Sequence, residues 1–302
     1  MSAEQAAPWV SGELIANGIR LHYVESGEGP LVLLLHGFPE FWYSWRYQIP
    51  ALAAAGFRVI APDMRGYNLS EKPSGIDAYS IDALVADTAA LIQTFDGERG
   101  AFLVGHDWGG LVAWYTAHRH PELVNKLIIL NAPHPNRYIE VLRGSLAQNL
   151  RSWYVGFFQI PWLPERLLTV GGAALVEWAI RWSGADPRHF SPSDARRYRE
   201  AFGRPGAATA TLNYYRAMVR RTLARGGREE PVRVSAPTLL LWGIDDVALD
   251  RANAEREALL RWVPDLRVEY FPTSHWIHTD CPDEVSARMV SFLREPAQPI
   301  FS

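Results

Sequence analysis

Cysteine is nearly absent from this 302-residue chain, Cys281 being the single one. An intrachain disulfide is excluded, and a reducing, cytoplasmic setting is expected. Lysine is almost as scarce: Lys72 and Lys126 are the two among 30 basic residues. The start of the chain has neither a basic n-region nor an apolar h-region, so no signal peptide is expected. No apolar run approaches the ~20 residues of a membrane span. No group of Cys and His has metal-ligand spacing, and there is no internal repeat or low-complexity tract. A net charge of −3 gives no basic footprint, so neither nucleic acid nor a membrane surface is an expected partner. The expected partner is a small molecule bound by a monomer or homodimer.

What is present is a large core and many aromatics. The apolar fraction of 48% suffices for one large domain, and 12 Trp are more than ordinary packing requires. Strand patterns occur at Glu13–Ala16 and Ile19–Glu25, on either side of Asn17-Gly18, a hairpin signal. The continuous aliphatic run Leu31–Leu35 reads as a strand buried on both faces; Ala101–Val104 and Lys126–Leu130 read as buried strands, and Phe57–Ala61, Thr238–Trp242 and Leu266–Phe271 as further strands. Helical periodicity alternates with them at Trp45–Ala55, Ile81–Phe95, Gly110–His120, Asp250–Arg261 and Asp283–Leu293. This alternation predicts an α/β fold, a mostly parallel eight-stranded sheet with helices on both faces and an antiparallel hairpin at its edge. It is interrupted over residues 136–231. That block is rich in Trp, Tyr, Arg and Pro, and is helical at Tyr138–Leu150, Ala173–Trp182, Ser193–Ala201 and Ala210–Ala224. It is expected to form a cap over the carboxyl ends of the strands, where open α/β sheets bind ligands. Residues 1–135 and 232–302 form the core. Arg225–Glu230 reads as an exposed linker and the stretch from Glu295 onward as an unstructured tail.

The sheet is organised around Gly105-His106-Asp107-Trp108-Gly109. G-x-D-x-G between a buried strand and a helix is a nucleophile-elbow pattern, a turn too tight for flanking side chains. Its central residue is Asp where Ser is usual. A carboxylate can displace a leaving group from saturated carbon and form an ester that water still cleaves. Serine at the same carbon would form an ether and stop after one turnover. The pattern points to an electrophilic sp3 carbon, as in an epoxide or an alkyl halide. The bland alternative is an Asp that merely caps the following helix.

Such chemistry needs oxyanion donors, a base and an acid partner for it. The N–H of Trp108 and the N–H of Phe38, at the end of the first buried strand, are the expected donors. The base is expected late in the chain: His275, separated by three residues from the last strand, with His278 as the alternative. The acid follows strand Thr238–Trp242, and Gly243-Ile244-Asp245-Asp246 offers two. Asp246 fits G-x-x-D, and Asp245 is the other. An epoxide oxygen further requires donors such as phenols, for which Trp153-Tyr154 and Tyr214-Tyr215 are candidates; a Tyr in a Trp-rich helix is otherwise a packing residue. His36, Phe38, Trp108 and Trp153 are expected around an apolar, aromatic substrate pocket, and His106 and His134 are further candidates for its wall.

Over nearly its whole length the sequence resembles the α/β-hydrolase-fold epoxide hydrolases. The resemblance rests on His36-Gly37-Phe38-Pro39-Glu40-Phe41-Trp42, Asp63–Ser70, Gly105–Gly110, Asn213-Tyr214-Tyr215-Arg216 and Ser274-His275-Trp276. It implies Asp107 as nucleophile, His275 as water-activating base, Asp246 as its partner, and Tyr215 and Tyr154 as donors to the epoxide oxygen. It also implies a cis Phe38-Pro39 bond and Tyr214 as packing. No metal or organic cofactor is implied. Haloalkane dehalogenases share the Asp-Trp elbow but typically carry Asn where Phe38 stands, and fluoroacetate dehalogenases typically carry Arg where Trp108 stands. A non-catalytic binding protein on the same scaffold often lacks a triad member or keeps Ser; here Asp107, Asp246 and His275 are all present.

Overall fold

The computed structural model describes residues 8–96, 99–227 and 230–296. The first seven residues, part of the expected linker and most of the expected tail lie outside them. The hairpin strands are β1 (Val10–Ala16) and β2 (Ile19–Ser26), paired antiparallel with Ala16 opposite Ile19. Asn17 and Gly18, with φ of 48° and 76°, make the tight primed turn that suits the twist of two joined strands.

The remaining strands are β3 (Leu31–Leu35), β4 (Arg58–Pro62), β5 (Ala101–His106), β6 (Val124–Leu130), β7 (Thr238–Gly243) and β8 (Leu266–Phe271). They form one eight-stranded sheet in the order β1-β2-β4-β3-β5-β6-β7-β8. From β4 to β8 every neighbouring pair is parallel. Successive side chains of a strand point to opposite faces, and β3 shows the consequence. Leu31, Leu33 and Leu35 enter one apolar cluster, while Val32 and Leu34 enter the cluster on the opposite face. An aliphatic run without alternation is therefore what a central strand covered on both sides requires.

Core helices are α1 (Gln48–Ala54), α2 (Ile81–Asp96) and α3 (Trp108–Arg119). The expected helix from Trp45 divides into a 3-10 turn, Trp42–Trp45, and α1. Between β6 and β7 lie α4 (Pro135–Gly144), α5 (Leu146–Arg151), α6 (Trp153–Phe157), α7 (Leu163–Ser183), α8 (Pro192–Phe202) and α9 (Ala207–Ala224). Helix α7 is broken at Val170–Ala173, where Gly171, Gly172 and Ala173 take positive φ. After β7 come α10 (Arg256–Leu259), α11 (Ile277–Asp280) and α12 (Pro282–Arg294).

The helix expected over Asp250–Arg261 is not continuous. Arg251–Ala254 is a 3-10 turn, Glu255 is extended, and α10 spans four residues. The 3-10 turn is tied to α5, where Gln148 Oε1 accepts hydrogen bonds from the Asp250 N–H at 2.7 Å and from Asn253 Nδ2 at 2.9 Å. Among the described residues no helix is long and apolar enough to cross a membrane.

Candidate active site

Strand β5 ends in the elbow. Asp107 has φ 49° and ψ −117°, a region that a side-chain-bearing residue occupies only when its surroundings enforce it. Close backbone approach enforces it here. A Cβ on Gly109 would stand 2.2 Å from the Leu35 carbonyl oxygen, and one on Gly105 2.4 Å from the Gly109 carbonyl oxygen. The glycines thus let β5, α3 and the end of β3 meet. Helix α3 begins at Trp108, two residues earlier than expected, and Asp107 occupies its N-cap position without a side-chain capping bond.

The Asp107 carboxylate instead faces the loop after β3. Its Oδ1 accepts a hydrogen bond from the Phe38 N–H at 2.8 Å, across a cis Phe38-Pro39 bond as expected. Burial raises the Asp107 pKa, while the charges of His275 and His106 and the N–H groups of Phe38 and Trp108 act against that rise.

His275 lies in the loop between β8 and α11. Its Nδ1 is 2.6 Å from Asp246 Oδ2 and its Nε2 3.8 Å from Asp107 Oδ2. Asp246 is buried and Asp245 exposed, so the carboxylate facing His275 is that of Asp246. Asp246 Oδ1 accepts from the N–H groups of Ala248 and Leu249, and Oδ2 from Asn131 Nδ2 at 2.8 Å. Burial opposes ionisation of Asp246, but His275 and these donors outweigh it and lower its pKa. Burial likewise opposes the charged form of His275, and Asp246, Asp107 and Glu40 together outweigh it, bringing its pKa up to about 9.

His278, the alternative base, is turned away. Its Nε2 is 3.1 Å from Glu40 Oε1, and burial pushes its pKa down to about 4. His106 is not in the cavity wall either: its Nδ1 is 2.8 Å from Glu40 Oε2, and its Nε2 3.0 Å from the His275 carbonyl oxygen. Glu40 Oε2 also accepts from the Gly37 N–H at 2.9 Å. This buried carboxylate therefore links the loop carrying Phe38 to the loop carrying His275.

Above Asp107 is a cavity of about 430 Å³ lined by Trp108, Leu111, Tyr138, Ile139, Tyr154, Tyr215 and Met218, among others. Burial drives the phenols of Tyr154 and Tyr215 well above 10, and the negative charge of Asp107 adds to the shift in both. Two other phenols nearby are engaged. The Tyr214 hydroxyl donates to the Arg65 carbonyl at 2.7 Å, and the Tyr138 hydroxyl is 2.9 Å from Ser152 Oγ.

The expected pocket wall needs correction at three residues. His36 is fully buried; its Nδ1 is 2.9 Å from the Gly37 carbonyl oxygen and its Nε2 accepts from the Met64 N–H, so the ring holds the loop and does not reach the cavity. Trp153 is 67% exposed; side chains of successive helical residues stand about 100° apart, so Trp153 and Tyr154 occupy different sides of α6 and Tyr154 alone of the two lines the cavity. Phe38 meets the site through its N–H and through an edge-on contact with Tyr215, 5.4 Å between ring centroids, and is not a cavity wall. Trp108 does line the cavity. His134 is buried against the Val232 carbonyl and the Trp262 ring. Two residues without an expected role belong to the arrangement, Glu40 and Asn131. Asn131 has φ 38° at the end of β6, and an Asn closing a buried strand is the signal that marks it.

A covered carboxylate on an elbow, a His-Asp pair and facing phenols define a hydrolase of the nucleophile-elbow type. Residues 30–282 match the model of the alpha/beta hydrolase fold family. The chain is 38% identical to epoxide hydrolase 2 of Caenorhabditis elegans over 92% of its own length and 78% of that protein's. It is 37% identical to human epoxide hydrolase 4, over 92% and 77%. A solved structure of the Bacillus megaterium epoxide hydrolase with an inhibitor superposes with a TM-score of 0.86 at 32% identity, covering 94% of this chain and all of that one. The chain belongs to the α/β-hydrolase-fold epoxide hydrolases.

Proposed function

We propose that this protein hydrolyses a lipophilic or aryl epoxide to a vicinal diol through an ester on Asp107. The observation that carries the reading is the shared cavity: the Asp107 carboxylate and the phenols of Tyr154 and Tyr215 line the same walls. Phenols held protonated by burial are hydrogen-bond donors to an epoxide oxygen and proton donors to the alkoxide it becomes. The wall is otherwise largely aliphatic and aromatic, which favours apolar substituents on the ring.

Phe38 N–H holds Asp107 Oδ1, so Oδ2, on the His275 side, is the attacking atom. Its lone pair forms a bond to a ring carbon, the C–O bond of the epoxide breaks, and a phenol proton passes to the leaving oxygen. His275 in its neutral form then takes a proton from water, and the hydroxide oxygen adds to the ester carbonyl carbon. The negative charge that develops on Oδ1 rests on the Phe38 and Trp108 N–H groups. Collapse breaks the bond between that carbon and Oδ2, His275 returns its proton to Oδ2, and the proton of the newly added oxygen, released as Asp107 ionises again, restores the phenol. The diol leaves with Oδ2, and the water oxygen stays in Asp107. Asp246 fixes the tautomer of His275 and stabilises its protonated form.

A single turnover in 18O-water tests the scheme. The diol of the first turnover should be unlabelled and the Asp107 peptide should carry one 18O. Label in the first diol would mean that water attacks the epoxide directly. Supplying haloalkanes beside epoxides separates this activity from dehalogenation: diol without halide release is expected, and halide release at comparable rate would reassign the enzyme.

A further inference from the structure

We propose that the outer face of the helical insert, Trp162 together with α7, docks on an anionic phospholipid surface. The inference is independent of the reaction above and departs from the expectation of no membrane partner. Trp162 is 64% exposed, Val170 66%, Trp178 57% and Trp182 65%, with Leu167 and Leu175 more than two-fifths exposed. Leu175, Trp178 and Trp182 follow i, i+3, i+7 spacing and so share one side of the helix. The rings of Trp178 and Trp182 lie stacked, 5.5 Å apart at 10°. Exposed apolar side chains scattered singly are ordinary on a protein surface; a cluster of them, here on both segments of the broken helix, marks an interaction face. Tryptophan in particular favours the lipid–water boundary, where its apolar body and N–H are both accommodated.

Charge selects the occupant. Residues 136–231 hold 15 Arg against 8 acidic residues, although the whole chain is −3. The core therefore carries the negative excess and the insert the positive one, and an anionic surface would orient the insert toward itself. Four acids of this part of the insert are already engaged, Glu165 with Arg216, Glu177 with Arg199, Asp186 with Arg188 and Asp194 with Arg46, while Glu200 is exposed. Arg166, Arg196 and Arg197 are exposed, and the Arg166 guanidinium lies over the Trp162 ring at 5.5 Å. Basic side chains beside exposed Trp and Leu are the composition of interfacial anchors; Arg166 stands on α7 itself, and Arg196 and Arg197 on α8, which packs against it. A second copy is disfavoured, because a two-fold contact sets each patch against itself and would bring the arginines together.

The test uses the full chain with vesicles of phosphatidylcholine alone or mixed equally with phosphatidylglycerol. Co-sedimentation with the mixed vesicles is expected, weakened by high salt and weakened about tenfold or more by the double substitution Trp178→Ser, Trp182→Ser. That variant should hydrolyse a water-soluble epoxide at the wild-type rate, which also reports its folding. Should it fail to fold, Arg166→Glu with Arg196→Glu gives an independent reading: preference for the anionic vesicles should disappear. Wild type that ignores both vesicles, or variants that bind as wild type does, would overturn the proposal. A dimer abolished by the Trp substitutions, with vesicles ignored, would assign the face to a second copy.

Discussion

His275 Nε2 stands 3.8 Å from Asp107 Oδ2, too far for a hydrogen bond and close enough for each charge to govern the other. Asp107 is one of the groups that bring the His275 pKa up to about 9. In the proposed reaction His275 must be neutral to accept a proton from water, and an ester on Asp107 would remove part of what keeps it charged.

The first prediction concerns pH. Breakdown of the alkyl-enzyme should accelerate as pH rises, with a midpoint below about 9, because the ester lacks the Asp107 charge. Single-turnover rates after mixing with epoxide give that midpoint directly. A midpoint at or above the free-enzyme value would show that Asp107 does not influence His275.

Replacing the base should separate the two steps. His275→Gln leaves Asp107 and its Phe38 N–H contact in place, so the carboxylate still attacks and the ester then persists. Intact-protein mass spectrometry with excess epoxide should show one substrate mass added, mapped to Asp107 by peptide analysis. An unmodified protein under those conditions would falsify the covalent route.

The phenols should act on the other step. Tyr215→Phe or Tyr154→Phe removes one donor to the epoxide oxygen, and alkylation should slow by about 10²-fold while ester breakdown is unaffected. Rapid quenching and quantification of adduct in the His275→Gln background measures alkylation alone. Equal rates with and without both hydroxyls would assign these tyrosines to packing.

Glu40 predicts an acid-sensitive fold. Burial favours its neutral form, but His106 and His278 outweigh that and hold the carboxyl well below its ordinary 4.5. A depressed carboxylate pKa gives stability that is complete above the unfolded value and lost as pH falls through the folded one. His278 adds to the trend: it is buried neutral with a pKa of about 4 against 6.5 unfolded, so acid favours the unfolded chain across that interval. Glu40→Gln, which leaves its buried partners imperfectly matched, should cost about 3 kcal/mol at neutral pH. Its Tm should approach that of wild type on acidification. A difference in Tm that stays constant with pH would mean that the Glu40 charge carries none of the effect.

The sequence by itself determined the sheet and the elbow, because both are local. Unbroken aliphatic runs such as Leu31–Leu35 require burial on two faces, and Gly105-x-Asp107-x-Gly109 requires a turn that admits no Cβ at either side. Tertiary structure alone shows that Asp246 rather than Asp245 meets His275, and that His275 rather than His278 stands beside Asp107. Each choice depends on which of two nearby side chains points inward, and that is set by partners far along the chain: Asn131 under Asp246, Glu40 under His278. The same holds where local reading was corrected. Gln148, about 100 residues away, binds the turn that stands where a helix is expected after Asp250, and Trp153 stands in solvent while Tyr154 lines the cavity. Periodicity reports what a segment prefers; only packing reports which of its faces is covered.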